Sequence, residues 1–260
     1  MSSRYPVVFI GAGPGDPELI TVKGLKALAN AEVILYAGSL VPQALLGWAR
    51  REAEIIDTAS LDLQAIVARL IEAHRAGKRV VRVHSGDLSI YSAIQEQLEE
   101  LDRADVPYQL IPGVTAAAAV SAVLAQEFTL PEVTQTVILT RTSGRTPVPA
   151  GETLEKLAQH GATLVIYLSV QMIDSIVEQL TPAYGPDAPV VVGYRVSWPD
   201  EKMVRGTMAT IATQVRQAGI TRQALILVGP ALAASGRSSS RRSKLYDKTF
   251  SHGYRTGAAD

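Results

Sequence analysis

The sequence has no cysteine among its 260 residues. That excludes disulfides, thiolate nucleophiles and cysteine-ligated zinc or iron–sulfur sites, and it fits a reducing compartment. Neither sign of charge is in excess: 25 Lys and Arg stand against 25 Asp and Glu. Such a chain has no global attraction for nucleic acid or an anionic membrane, although a local patch could still supply one. No apolar run approaches the roughly 20 residues of a membrane span. The N-terminal MSSRYPVVFIG also has too short an apolar run for a signal peptide. These absences together predict a soluble cytoplasmic protein that binds neither membrane nor nucleic acid.

What the sequence does have is apolar content, 47% of its residues, enough for one large core or two modest ones, and two compact domains are expected. Short β-branched runs alternate with longer helical patterns. Strands are predicted at 7–10, 32–36, 79–83 and 108–111, with helices near 21–30, 61–76 and 90–103, the signature of a mostly parallel α/β sheet. A second series of strands is predicted at 136–140, 163–168, 189–194, 202–207 and 224–229. KMVRGT follows PVVVGY too closely for an intervening helix, so these two are expected to pair antiparallel, and the second half is not a copy of the first. Pro112 and Gly113 mark a boundary. The expected organisation is an N-terminal domain over 1–113, a C-terminal domain over 114–234 and a polar, basic tail over 235–260. The tail begins Ser-rich, like a flexible connector, but its Leu245, Tyr246, Phe250 and Tyr254 give it something to dock with.

The first strand enters GAGPGDPEL, which has the look of a dinucleotide-binding turn. The spacing is G-x-G-x-G rather than G-x-G-x-x-G, and strand 32–36 leads into Tyr36-Ala37-Gly38, without the acid that would hold a ribose. Pro14 and Pro17 lack the N–H groups that a phosphate cradle uses, and Asp16 would set a carboxylate beside the pyrophosphate. The loop therefore predicts either a tight structural turn or a site for a ligand without phosphate. HSGDLSIYSAI after strand 79–83 and PGVTAAAAV after strand 108–111 have the same form. In a parallel sheet all three loops fall outside the carboxyl ends of their strands, where ligands bind.

GAGPGD, the SGD of HSGDLSIYSAI, and PGVTAA together resemble the S-adenosylmethionine-dependent tetrapyrrole methyltransferases. The likeness extends over nearly the whole chain. YAGSLVP, LTRTSGRTPVP, RVSWPDEKMVRGT and SKLYDKTFSHGYR are similar to the members that methylate C11 of precorrin-4 in cobalamin biosynthesis. The resemblance implies two α/β domains with the active site in the cleft between them, S-adenosylmethionine as methyl donor, a tetrapyrrole substrate and a homodimer. It places Pro14, Ser85, Gly86, Asp87, Ile90, Thr115, Ala116, Leu168 and Val196 around the cofactor. Leu88 stands where many relatives have proline, and Val196 where many have a smaller residue. Asp87 is the partner expected for a ribose hydroxyl or the α-amino group, because an ionised carboxylate accepts strong hydrogen bonds from either. No metal ligands are assigned.

Methyl transfer from a sulfonium needs alignment and exclusion of water rather than an enzyme nucleophile. A base is required only to remove a proton from the macrocycle. Asp16 is the candidate, with helix capping as its alternative role; His84 is more readily a core residue with a backbone partner. Recognition of the acetate and propionate groups of a precorrin calls for arginine, whose planar fork pairs with carboxylates. Arg141 and Arg145, in a Gly/Pro-rich loop at a strand end, are the candidates, against an ordinary solvated loop. Arg195 and Lys202 flank Trp198, which offers either a stacking face for a flat ring or simple core packing. Tyr246, His252 and Arg255 are expected either to pack on a partner subunit or to close the cleft. The motifs leave four other readings: the same methylation on cobalt-precorrin-4, a methyltransferase of the same fold acting on RNA or protein, a dinucleotide-dependent oxidoreductase, and non-catalytic binding of a tetrapyrrole.

Overall fold

The computed structural model describes residues 5–144, 146–234 and 243–257. The described chain divides into two compact units. The first takes residues up to Ala119 together with Ser197–Asp200; the second takes Val120–Val196 and the rest. Both are α/β.

In the first unit the elements run β1 (Val7–Gly11), α1 (Val22–Asn30), β2 (Val33–Tyr36), α2 (Gln43–Leu46), β3 (Glu54–Asp57), α3 (Leu63–Arg75), β4 (Val80–His84), α4 (Gln95–Arg103), β5 (Tyr108–Ile111) and the start of α5 (Ala116–Leu124). The five strands form one parallel sheet in the order β3-β2-β4-β1-β5. β2 and β4 are buried along their whole length because helices cover both faces. Val7, Phe9, Leu35, Leu70, Leu98 and Leu101 pack on one face with α3 and α4. Ile10, Leu28, Ile34, Leu45 and Val83 pack on the other with α1 and α2. Each such side chain contributes about 1.5 to 3 kcal/mol by leaving water. Capping sets the helix starts. The Thr21 hydroxyl accepts the Gly24 N–H at 3.1 Å, and Asp62 Oδ1 accepts the Ala65 N–H at 2.8 Å.

Two features differ from the sequence expectation. Strand β3 went unread because its EIID follows the charged RREA and lies at the sheet edge, where three of its four residues are exposed. Helix α4 starts at Gln95 rather than near residue 90, because Tyr91 and Ala93 adopt left-handed φ angles of 51° and 49° that no α-helix admits.

The second unit continues with β6 (Val137–Arg141), α6 (Leu154–Ala158), β7 (Thr163–Tyr167), α7 (Ile173–Tyr184), β8 (Pro189–Tyr194), β9 (Lys202–Thr207), α8 (Ile211–Gln217) and β10 (Ala224–Val228). Its sheet is mixed, in the order β6-β7-β10-β8-β9. β6 and β7 are parallel, whereas β8 and β9 pair antiparallel, as the short connection requires. The core gathers Leu164, Ile166, Ile176, Leu180, Val192 and Ile226. Among the described residues no helix is long and apolar enough to cross a membrane.

Candidate active site

Because the first sheet is parallel, the loops after β1, β4 and β5 leave from the same edge of three adjacent strands. Their backbones are fused. The Ala12 N–H donates to the His84 carbonyl at 2.7 Å, Gly13 N–H to Gly86 O at 3.2 Å, and Gly86 N–H back to Gly13 O at 2.8 Å. The third loop joins through Asp87, whose Oδ2 accepts the Gly113 N–H at 2.7 Å. Glycine is needed here for close approach. A Cβ on Gly11 would lie 2.6 Å from the Gly86 carbonyl oxygen, and one on Gly113 only 2.1 Å from it.

The first loop has little left for a phosphate. Besides Ala12 and Gly13, the Asp16 N–H is taken by Ser197 Oγ at 3.0 Å and the Glu18 N–H by Asp16 Oδ1 at 2.8 Å, while Pro14 and Pro17 have no N–H. Trp198 closes the loop from outside. Its indole Nε1 donates to the Pro14 carbonyl at 2.9 Å, and a Cβ on Gly15 would strike the ring at 2.2 Å. Trp198 is thus packed on this loop. Asp16 caps the 3-10 turn Pro17–Leu19, so the structure shows its capping role directly.

Ser85, Gly86, Asp87 and Ile90 follow β4, and Thr115 and Ala116 lead into α5, all partly exposed. Asp87 Oδ1 accepts both the N–H, at 2.9 Å, and the hydroxyl of Ser89. Burial opposes its charge, but the bonds from Ser89 and from the Gly113, Ser89 and Leu88 backbone prevail, and the pKa is lowered. The carboxylate is ionised and fixed, a tie between the β4 and β5 loops.

His84 is a core residue. Its ring stacks on Phe9 with centroids 6.1 Å apart. Burial, reinforced by nearby Arg82 and opposed by a bond to the Ser92 backbone, depresses its pKa to about 3, so the ring is neutral at working pH.

In the second unit Leu168 follows β7 with φ 56° and a side chain 63% exposed. A left-handed leucine costs on the order of 1 kcal/mol, and this one recovers little by burial. Val196 is buried, between Arg195 and Ser197, both at positive φ; a Cβ on Gly193 would meet its Cγ2 at 2.8 Å. Arg141 ends β6 and turns back on its own loop: Nη1 donates to Thr146 O at 3.0 Å and Nη2 to Pro147 O at 2.8 Å. Arg145 lies outside the described residues. In the tail, Arg255 Nη2 donates to the carbonyls of Leu245 and Asp247 at 2.7 and 2.6 Å, so its guanidinium organises the tail itself.

Sequence reasoning missed Ser197, the left-handed pair at 91 and 93, and a buried arginine, Arg82. The only visible signal of the last was a cation at an inward position of an otherwise apolar strand.

Comparison with known proteins identifies the family. The profile of the tetrapyrrole (corrin/porphyrin) methylases matches residues 6–212. The precorrin-4 C(11)-methyltransferase of Pseudomonas aeruginosa is 53% identical over 96% of this chain and 99% of its own length. The X-ray structure of a cobalt precorrin-4 methyltransferase, a cobalamin biosynthetic enzyme, superposes with a TM-score of 0.85 at 47% identity, covering 87% of this chain and 95% of that one. A uroporphyrin-III C-methyl transferase from Thermus thermophilus, complexed with S-adenyl homocysteine, superposes at 0.73 with 26% identity, covering 88% and 99%. With three loops fused through their backbones in its first unit and a family match over residues 6–212, the chain belongs to the tetrapyrrole methylase family.

Proposed function

We propose that this chain transfers a methyl group from S-adenosylmethionine to C11 of precorrin-4, in its metal-free or cobalt form, on the route to cobalamin. The observation that carries the reading is the loop triplet at Gly11–Asp16, Ser85–Asp87 and Gly113–Ala116. The N–H groups of Ala12, Gly13, Asp16, Gly86 and Gly113 are taken by protein acceptors, and Pro14 has none. A pyrophosphate would find no cradle there. A phosphate-free, positively charged nucleoside suits small residues beside an ionised Asp87.

When bound, S-adenosylmethionine supplies an electrophilic methyl carbon on a sulfonium sulfur, and displacement by an electron-rich ring carbon releases a neutral thioether. The protein's part is placement. Pro14, Ser85, Gly86, Asp87, Ile90, Thr115, Ala116, Leu168 and Val196 are assigned to the nucleoside and amino-acid moieties. An exposed leucine held left-handed is a wall waiting for an apolar contact, which is the role assigned to Leu168. Asp16, fixed by its Ser197 contact, is assigned to orient the macrocycle or accept its proton. Arg141 and Arg145 are assigned to the peripheral carboxylates, Arg141 by shaping the loop whose carbonyls it braces. We further assign a homodimer working in the cytoplasm, without nucleic acid. Sedimentation at equilibrium tests the dimer. Calorimetric titration with S-adenosylhomocysteine and with NAD tests the cofactor: the expected outcome is binding of the first and not the second, and the reverse order would overturn the assignment.

A further inference from the structure

Arg82 points into the core of the first unit and is 4% exposed. No carboxylate among the described residues pairs with it. Its Nε donates to Gln97 Oε1 at 3.2 Å and its Nη1 to Thr58 Oγ1 at 3.1 Å. Burial lowers its pKa to about 10, which leaves it charged at neutral pH. Burying a cation against neutral acceptors is costly, and an apolar side chain of similar volume would be cheaper there. Its retention therefore points to something that an apolar residue cannot do.

What the cation does is anchor two carbonyls. Thr58 has one hydroxyl proton; since Oγ1 accepts from Arg82, that proton is free to go to the Tyr36 carbonyl, 3.0 Å away, at the exit of β2. Gln97 uses its other end, Nε2, to hold the Ala93 carbonyl at 3.2 Å. Ala93 has a φ of 49° in the segment that follows Asp87 and Ile90, a conformation that persists only where the surroundings impose it. The His84 ring bonds to the Ser92 backbone in the same segment.

We propose that Arg82 and Gln97 are positioning residues: a buried relay from Tyr36 through Thr58, Arg82 and Gln97 to Ala93 holds the 85–94 loop in its cofactor-binding geometry. The relay touches no ligand. It acts through the loop backbone, and it rests on the reading that this loop binds S-adenosylmethionine.

The two ends of Gln97 allow stability and positioning to be separated. Gln97→Glu keeps an acceptor for Arg82, now charge-assisted, but loses the N–H held by Ala93. Gln97→Leu loses both. Calorimetry with S-adenosylhomocysteine and thermal melting are measured on the full chain and on both variants. Gln97→Glu is expected to melt near the parental temperature and yet to bind S-adenosylhomocysteine on the order of tenfold more weakly, the scale of one lost hydrogen bond. Gln97→Leu should lose affinity and melting temperature together; if it fails to fold, Gln97→Glu still decides. Parental affinity in Gln97→Glu overturns the inference, as does an affinity loss that appears only with a matching fall in melting temperature. The parental chain in the same titration reports on the cofactor reading separately: no binding there overturns both.

Discussion

Asp87 and Gly113 are 26 positions apart in the chain, yet Asp87 Oδ2 accepts the Gly113 N–H at 2.7 Å. One carboxylate thus fixes the β4 loop to the β5 loop and stays ionised while doing so. Asp87→Ala should weaken S-adenosylhomocysteine binding by about 1.5 to 3 kcal/mol, the value of a hydrogen bond to a charged group. Asp87→Asn should recover only part of this, because its NH2 group must face either the Ser89 N–H or the Gly113 N–H, donor against donor. Unchanged affinity in both variants, read by calorimetry, would leave Asp87 as a loop tie only.

Close approach at Gly113 makes a sharper prediction. In Gly113→Ala the new methyl would meet the Gly86 carbonyl oxygen at 2.1 Å, and relief requires backbone movement at a cost of about 1 to 3 kcal/mol. Both melting temperature and S-adenosylhomocysteine affinity should fall. Gly151→Ala is the control, since a Cβ there meets nothing within 4 Å, and it should behave as the parent. A Gly113→Ala chain that also behaves as the parent would mean that the three loops are not fused.

His84 predicts how stability depends on pH. Its folded pKa, about 3, lies below the ordinary 6.5. The unfolded state therefore binds the extra proton first, and stability is fully present above pH 6.5 and is lost as pH falls toward 3. The loss approaches about 1.4 kcal/mol per pH unit while one proton is linked. Urea melts of the parent and of His84→Gln between pH 7 and pH 5 check this. The variant should be less stable at pH 7 and show a shallower pH slope; equal slopes would contradict the assignment of a buried neutral ring.

Substitution of Arg141 is expected to affect turnover of the substrate and not binding of the cofactor. With its guanidinium on the carbonyls of Thr146 and Pro147, Arg141→Ala should release the loop and cut tetrapyrrole turnover on the order of tenfold or more, leaving S-adenosylhomocysteine affinity unchanged. Lysine cannot span both carbonyls and should give an intermediate rate. Parental turnover of the alanine variant across a substrate titration would reduce the loop to a connector.

Much of the fold was legible because its signals are local. Val33–Tyr36 is an apolar run and Val80–His84 is rich in valine, and the short link between Tyr194 and Lys202 demanded an antiparallel pair. The loop triplet was legible from Gly11, Gly86 and Gly113: a Cβ on the first or last would strike the Gly86 carbonyl, and Gly86 itself takes a φ of 64°. What escaped depends on distant partners. Trp198 offered either a stacking face or simple core packing, and nothing in the sequence told that it and Ser197 contact a loop 184 and 181 positions earlier. Arg82 escaped because nothing near it in sequence tells that Thr58 and Gln97 bond to it. Nor does the sequence announce the left-handed Tyr91 and Ala93, which tertiary contacts impose on residues of ordinary propensity.

The most direct test is incubation of the protein with methyl-labelled S-adenosylmethionine and precorrin-4, metal-free in one arm and cobalt-loaded in the other, with the labelled carbon located by NMR. Label at C11 in at least one arm, with stoichiometric release of S-adenosylhomocysteine, is the expected result. Label at another ring carbon, or none in either arm from a chain that binds S-adenosylhomocysteine, would contradict the proposed reaction.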